Sequence, residues 1–148
     1  MHPRLFGTSI LAFTLAAVLS AACTSPGAPG TTGTTGTGAG VRVSQIDIGR
    51  SLNADKTIND KTDSFKPNDA IYASIATEGS AATATLMARW TYQDGQVVNE
   101  STQTIAPIGS ARTEFHISKP DGWPTGKYKL EAFLNGSSSA TRDFEVAR

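Results

Sequence analysis

The stretch ATATLMARWTYQDGQVV, residues 82–98, decides how this chain is read. From Ala84 onward, Ala84, Leu86, Ala88, Trp90 and Tyr92 fall on one side, while Thr85, Met87, Arg89 and Thr91 fall on the other. A period of two is the rhythm of a strand with one face buried, because successive side chains of an extended backbone point to opposite faces. Asp94-Gly95 then supplies the positive φ that a tight hairpin demands. The chain returns from about Gln96 to Ile105 as a strand polar on both faces, which predicts a sheet edge.

Working outward, the same rhythm recurs between turn residues at the spacing of an all-β sandwich. VRVSQIDI (41–48) places Val41 and Val43 opposite Ile46 and Ile48, so a bulge near Ser44 or Gln45 is needed to bring all four inward. In AIYASIAT (70–77), Ile71, Ala73 and Ile75 share a face, and in ARTEFHIS (111–118) Phe115 and Ile117 point inward, with Arg112, Glu114 and His116 outward. The turn KPDGWPTG (119–126) leads into KYKLEAFLNG (127–136), whose buried face is Tyr128, Leu130, Ala132 and Leu134. ATRDFEVAR (140–148) buries Phe144 and Val146. Phe133 falls outward, and the long connection before Ala70 is expected to cover it. The prediction is an antiparallel β-sandwich of about seven strands over residues 41–148, with no helix.

This layout resembles the immunoglobulin and fibronectin type III superfold. Trp90, inward on the third strand, stands where such domains often place a core tryptophan, and Tyr128, just after Pro124-Thr125-Gly126, stands like the aromatic residue that anchors a corner in the fold. The disulfide usual in immunoglobulin domains is absent because the chain has one cysteine, so the core rests on packing alone.

That cysteine is Cys23. Residues 1–22 read as a secretory signal: Arg4, a fifteen-residue largely apolar stretch from Leu5 to Leu19, then Ser20, Ala21 and Ala22. Fifteen residues fall short of the roughly 20 that a membrane span needs. An ordinary signal cleaved after Ala22 would leave an exposed, unpaired thiol at the new N-terminus, an odd survivor outside the cytoplasm. The stretch VLSAAC (18–23) resembles the bacterial lipobox, with Leu19 one place further from Cys23 than the usual leucine. The resemblance implies a diacylglycerol on Cys23, a membrane partner through that lipid, and, since Thr24 rather than an aspartate follows, the outer membrane.

Between the anchor and the sandwich, Thr24–Gly40 carries no charge and no aromatic residue, so it cannot bury enough surface to offset the entropy of ordering. Residues 23–40 are therefore expected to be a lipidated cysteine and a flexible tether, spanning about 23 Å on average and about 60 Å when stretched.

Thirteen basic and thirteen acidic residues cancel over the chain. With no basic excess there is no electrostatic footprint for nucleic acid. His116 is the only histidine after the leader, and it sits mid-strand with Glu114 nearby, which is not the pocketed arrangement that acid–base chemistry needs. A lone histidine and a lone cysteine make no zinc site. The connection SLNADKTINDKTDSFKPND (51–69) offers Asp55, Asn59, Asp60, Asp63 and Asp69 as oxygen donors, but their order matches no calcium loop, and Lys56, Lys61 and Lys66 offset them. It reads as a solvated, mobile loop, with Lys56–Asp60 as a short extra edge strand. No catalytic residue, cofactor or metal is expected.

Trp123, between Gly122 and Pro124, has two readings: a lid folded over one end of the sandwich, or an exposed platform for a sugar or protein partner, with Pro124 beside it. The function expected is that of a non-enzymatic, membrane-tethered envelope lipoprotein presenting an interaction domain to a protein or glycan. The alternative is a proteinase-inhibitor-like or carbohydrate-binding module working through the Gly122-Trp123-Pro124 turn.

Overall fold

The computed structural model describes residues 40–148; the leader, Cys23 and the tether up to residue 39 lie outside the described residues. The strands are β1 (Arg42–Gly49), β2 (Ser64–Phe65), β3 (Ile71–Glu78), β4 (Ala84–Tyr92), β5 (Gln96–Ile105), β6 (Ala111–Ile117), β7 (Gly126–Leu134) and β8 (Ser137–Val146), with no helix among the described residues. They form a three-stranded sheet, β1-β3-β6, and a five-stranded sheet, β2-β8-β7-β4-β5. All neighbours pair antiparallel except β2 and β8. The chain crosses between the sheets after β1, β2, β3, β5 and β6, and this order defines an immunoglobulin-like β-sandwich.

The alternation in β4 is carried into space as the sequence dictates: Leu86, Ala88 and Trp90 are fully buried, and Ala84 nearly so. Opposite them lie Ile71, Ala73 and Ile75 of β3, the central strand of the smaller sheet and also fully buried. The bulge expected in the first strand lies between Val43 and Gln45, where the register with β3 shifts by one residue. It turns Ile46 and Ile48 into the core. The β4–β5 hairpin turns through Gln93, Asp94 and Gly95, with positive φ at Gln93 (44°) and Gly95 (101°) and the Gly95 N–H donating to the Tyr92 carbonyl. β5 is the edge strand its polarity predicts.

The connection between β1 and β3 departs from expectation. It is hydrogen-bonded along much of its length and buries two apolar side chains. Residues 50–60 form a hairpin that continues β1, in which the Arg50 N–H donates to the Asp60 carbonyl at 3.0 Å and Leu52 bridges Ile58. Ile58 is 5% exposed, packed on Gly49. The short strand lies at Ser64–Phe65, not at Lys56–Asp60, and raises the strand count from seven to eight. It forms there because Phe65 is a core residue, 1% exposed, that packs edge-on against Phe144 with ring centres 5.6 Å apart.

The carboxylates of this connection are held by nearby donors. Asp63 receives a two-pronged guanidinium contact from Arg142 at 2.7–3.0 Å, Asp60 takes Arg50 at 3.4 Å, and Asp55 accepts from Thr57. Asp69 binds Arg50 Nε at 2.8 Å and the Lys66 N–H at 2.9 Å. Burial works to raise the Asp69 pKa, but those two donors outweigh it and hold the carboxyl below its ordinary value.

The connection does not cover Phe133 either. The Arg89 guanidinium does, at 4.6 Å from the ring centre, held in turn by Glu100 at 2.7 Å. The connection runs along β1 and β8, whereas Arg89 lies next to Phe133 on the β4–β7 face.

Candidate functional site

Trp123 is 7% exposed. Its backbone N–H donates to the Pro67 carbonyl at 2.7 Å and its indole Nε1–H to the Asp69 carbonyl at 3.1 Å, so the β6–β7 turn is pinned to the chain just before β3. Gly122, at φ 81°, lets the turn reverse there, with Asn68 and Pro67 where a side chain would stand. The indole meets Tyr128 edge-on at 6.2 Å. This is the lid arrangement: the indole is buried over the end of the sandwich rather than standing out as a platform. Pro124, the next residue, is exposed.

Tyr128 occupies the corner that its resemblance implies. Its hydroxyl donates to the Pro124 carbonyl four residues back at 2.8 Å, while its ring stacks on Phe144 at 5.3 Å and leans on Tyr92 at 4.8 Å. Burial disfavours the phenolate and pushes its pKa from 10.0 up to about 12, with Tyr92 adding to the shift. An unfolded tyrosine ionises near pH 10, so above that pH the unfolded state gains from ionisation that the folded state resists. The contribution of Tyr128 is intact below pH 10 and is lost as the pH rises toward about 12, at a cost on the order of 3 kcal/mol. Tyr128→Phe is expected to lower stability at pH 7 by about 1–2 kcal/mol, because the Pro124 carbonyl loses its donor. It is also expected to flatten the alkaline limb, which urea denaturation at a series of pH values reads directly.

Beside this pinned turn runs a groove of about 500 Å³ between the start of β5 and the β6–β7 connection, lined by Tyr92, Val97, Val98, Trp123, Pro124 and Tyr128 among others. Val97 is 52% exposed, one of two exposed large hydrophobic residues among those described. The Tyr92 hydroxyl is fixed at the rim, donating to the Thr125 carbonyl at 3.1 Å and accepting from Gln93 Nε2 at 2.7 Å. The structure thus brings Trp123 and Pro124 together with residues not expected at a site. The adjacent pair Val97-Val98, in a strand otherwise nearly free of apolar side chains, was the only signal for them.

The other candidates lie apart. His116 is exposed on the outer face of the three-stranded sheet, its ring 5.5 Å from Tyr72. No group of three or more His, Cys, Asp or Glu side chains converges on one point among the described residues. Cys23 lies outside them.

No protein-family model and no curated protein sequence matches the chain. Among solved structures, it is similar to an immunoglobulin-like protein from Pseudomonas aeruginosa, at 18% identity and a TM-score of 0.48, over 76% of this chain and 100% of that one. It is also similar to the Pseudomonas fluorescens alkylpurine DNA glycosylase AlkC bound to DNA containing an abasic site analog, at 14% identity and a TM-score of 0.48. That match covers 73% of this chain but only 30% of the glycosylase.

Proposed function

We propose that the protein is a non-enzymatic, lipid-anchored component of the bacterial envelope, held by Cys23 in the outer membrane and presenting its immunoglobulin-like domain to a protein partner. The observation that carries the interaction role is the groove beside Trp123. A mixed rim, apolar at Val97 and Pro124 and polar at Gln96, Asn99, Ser118 and Lys119, lies over a floor fixed by hydrogen bonds, a surface that binds by contact and needs no reactive group. The anchor is supported by the leader and by the survival of one unpaired cysteine behind three small residues.

Two measurements test the two halves separately. Intact-mass analysis of the protein purified from membranes is expected to show an acylated Cys23 at the mature N-terminus. A free thiol there would end the anchor reading. A photo-crosslinking residue in place of Val97 is expected to give one discrete protein adduct in the native envelope that the same probe at Thr141 does not. Identical patterns from both positions would end the groove reading.

A further inference from the structure

The four sheet edges of this sandwich are not treated alike. On β1, the Thr62 N–H donates to the Ile48 carbonyl at 3.3 Å and Lys61 bridges Gly49. On β8, β2 pairs in parallel, and the Glu145 and Ala147 N–H groups donate to the Asp63 and Phe65 carbonyls at 2.8 and 2.9 Å. On β6, the Glu114 carbonyl accepts the side-chain amide of Gln103, itself a residue of β5, at 2.6 Å, so that amide is already engaged within the sandwich. β5 runs for ten residues with a strand on one side only, seven of them exposed; β6 and, as far as Phe144, β8 are also open on one side, but they carry Arg112 and Glu114, and Arg142 and Asp143, where β5 carries a single charge.

Edges left open in soluble domains are normally blunted by lysine, proline or a bulge. β5 has no lysine and no proline, and its one charge, Glu100, is already engaged by Arg89 at 2.7 Å. The register shift opposite Trp90 and Thr91 disturbs only the start of the strand, and Asn99–Ile105 continues as a regular seven-residue edge. Its side chains are hydroxyls and amides, with one carboxylate and one terminal isoleucine. Such an edge offers a foreign strand neither an apolar stripe nor a charge pattern to read. Hydroxyls and amides do complement themselves across an antiparallel pair.

We propose that Asn99–Ile105 pairs antiparallel with the same segment of a second copy about a two-fold axis through Thr102. In this register Thr102 faces itself, Ser101 faces Gln103, Glu100 faces Thr104 and Asn99 faces Ile105. The two Glu100 carboxylates stay apart, whereas an axis through Glu100 would oppose them directly. The contact is isologous and closes at two copies. Gln96–Val98 lie outside the paired segment, and of the β5 residues that line the groove only Asn99 falls within it. The pairing does not depend on the anchor.

The test is sedimentation velocity on residues 23–148 with Cys23→Ser, from low to high micromolar concentration. A reversible monomer–dimer equilibrium is expected. Thr102 is exposed, so Thr102→Lys should leave the thermal melt unchanged, yet it sets two ammonium groups face to face. It should weaken the dimer at least about tenfold. Thr102→Glu should do the same, and an equimolar mixture of the two variants should dimerise again. A monomer at every concentration, a dimer indifferent to Thr102→Lys, or a mixture that stays monomeric would each overturn the proposal.

Discussion

Trp90→Ala is expected to cost about 3–5 kcal/mol, the range for deleting a large aromatic side chain from a packed core. Trp90 is fully buried, lies between Asn99 of β5 and Leu130 of β7 in the sheet, and meets Phe144 edge-on at 5.8 Å. Through Phe144 it is joined to Tyr128 and Phe65, so its removal opens a void at the junction of four elements rather than at one contact. No disulfide is available to limit the damage, and a domain of this size has only about 5–15 kcal/mol in all. The expected result is a urea midpoint lowered by about a fifth or more. Trp90→Phe separates packing from polarity. The indole Nε1–H has no hydrogen-bond partner, so phenylalanine gives up volume but also removes an unpaired buried donor, which itself costs about 1–3 kcal/mol. The phenylalanine variant is expected to fall well short of half the alanine loss. An alanine variant within about 1 kcal/mol of the parent would show that the sheets are not held at Trp90.

The local periodicity around Trp90 made most of the fold legible. Side-chain alternation in β1, β3, β4, β6 and β7 named the buried residues, and even the bulge between Val43 and Gln45 follows from two valines and two isoleucines of opposite parity. What the sequence hid is whatever depends on pairs far apart in the chain. Asp63 and Arg142 are 79 residues apart, and nothing in the polar run around Asp63 announces that Arg142 will hold it. The connection therefore read as solvated, although Ile58 and Phe65 within it are buried. Phe133 shows the same limit, since its cover, Arg89, comes from a neighbouring strand whose register alternation alone does not fix. The groove was half legible. The glycine and proline around Trp123 marked the turn, but Val97 joins it through the geometry of the β4–β5 hairpin.

Gly49→Ala tests whether that connection steadies the site at a distance. Gly49 ends β1, and a methyl group there would lie 2.0 Å from the Asp60 carbonyl oxygen and 2.4 Å from Ile58 Cγ2. The nearer obstacle is backbone, which cannot swing aside like a flexible side chain. Either the 50–60 hairpin lifts from β1 or β1 distorts, and overpacking of this kind costs about 3 kcal/mol, sometimes more. A loss of that size lowers the melting temperature by more than about 10 °C. Lifting the hairpin displaces Arg50, the next residue, which holds Asp69 at 2.8 Å, and the Asp69 carbonyl in turn accepts the Trp123 indole at 3.1 Å. Three consequences should therefore appear together in native-state hydrogen exchange and iodide quenching. The Arg50, Asn59 and Thr62 amides lose protection, the β3 and β4 amides keep theirs, and Trp123 becomes accessible while Trp90 does not. Loss of hairpin protection with Trp123 still shielded would mean that the lid is held by Pro67 and Tyr128 alone, and that the Arg50–Asp69 pair braces the connection without bracing the groove.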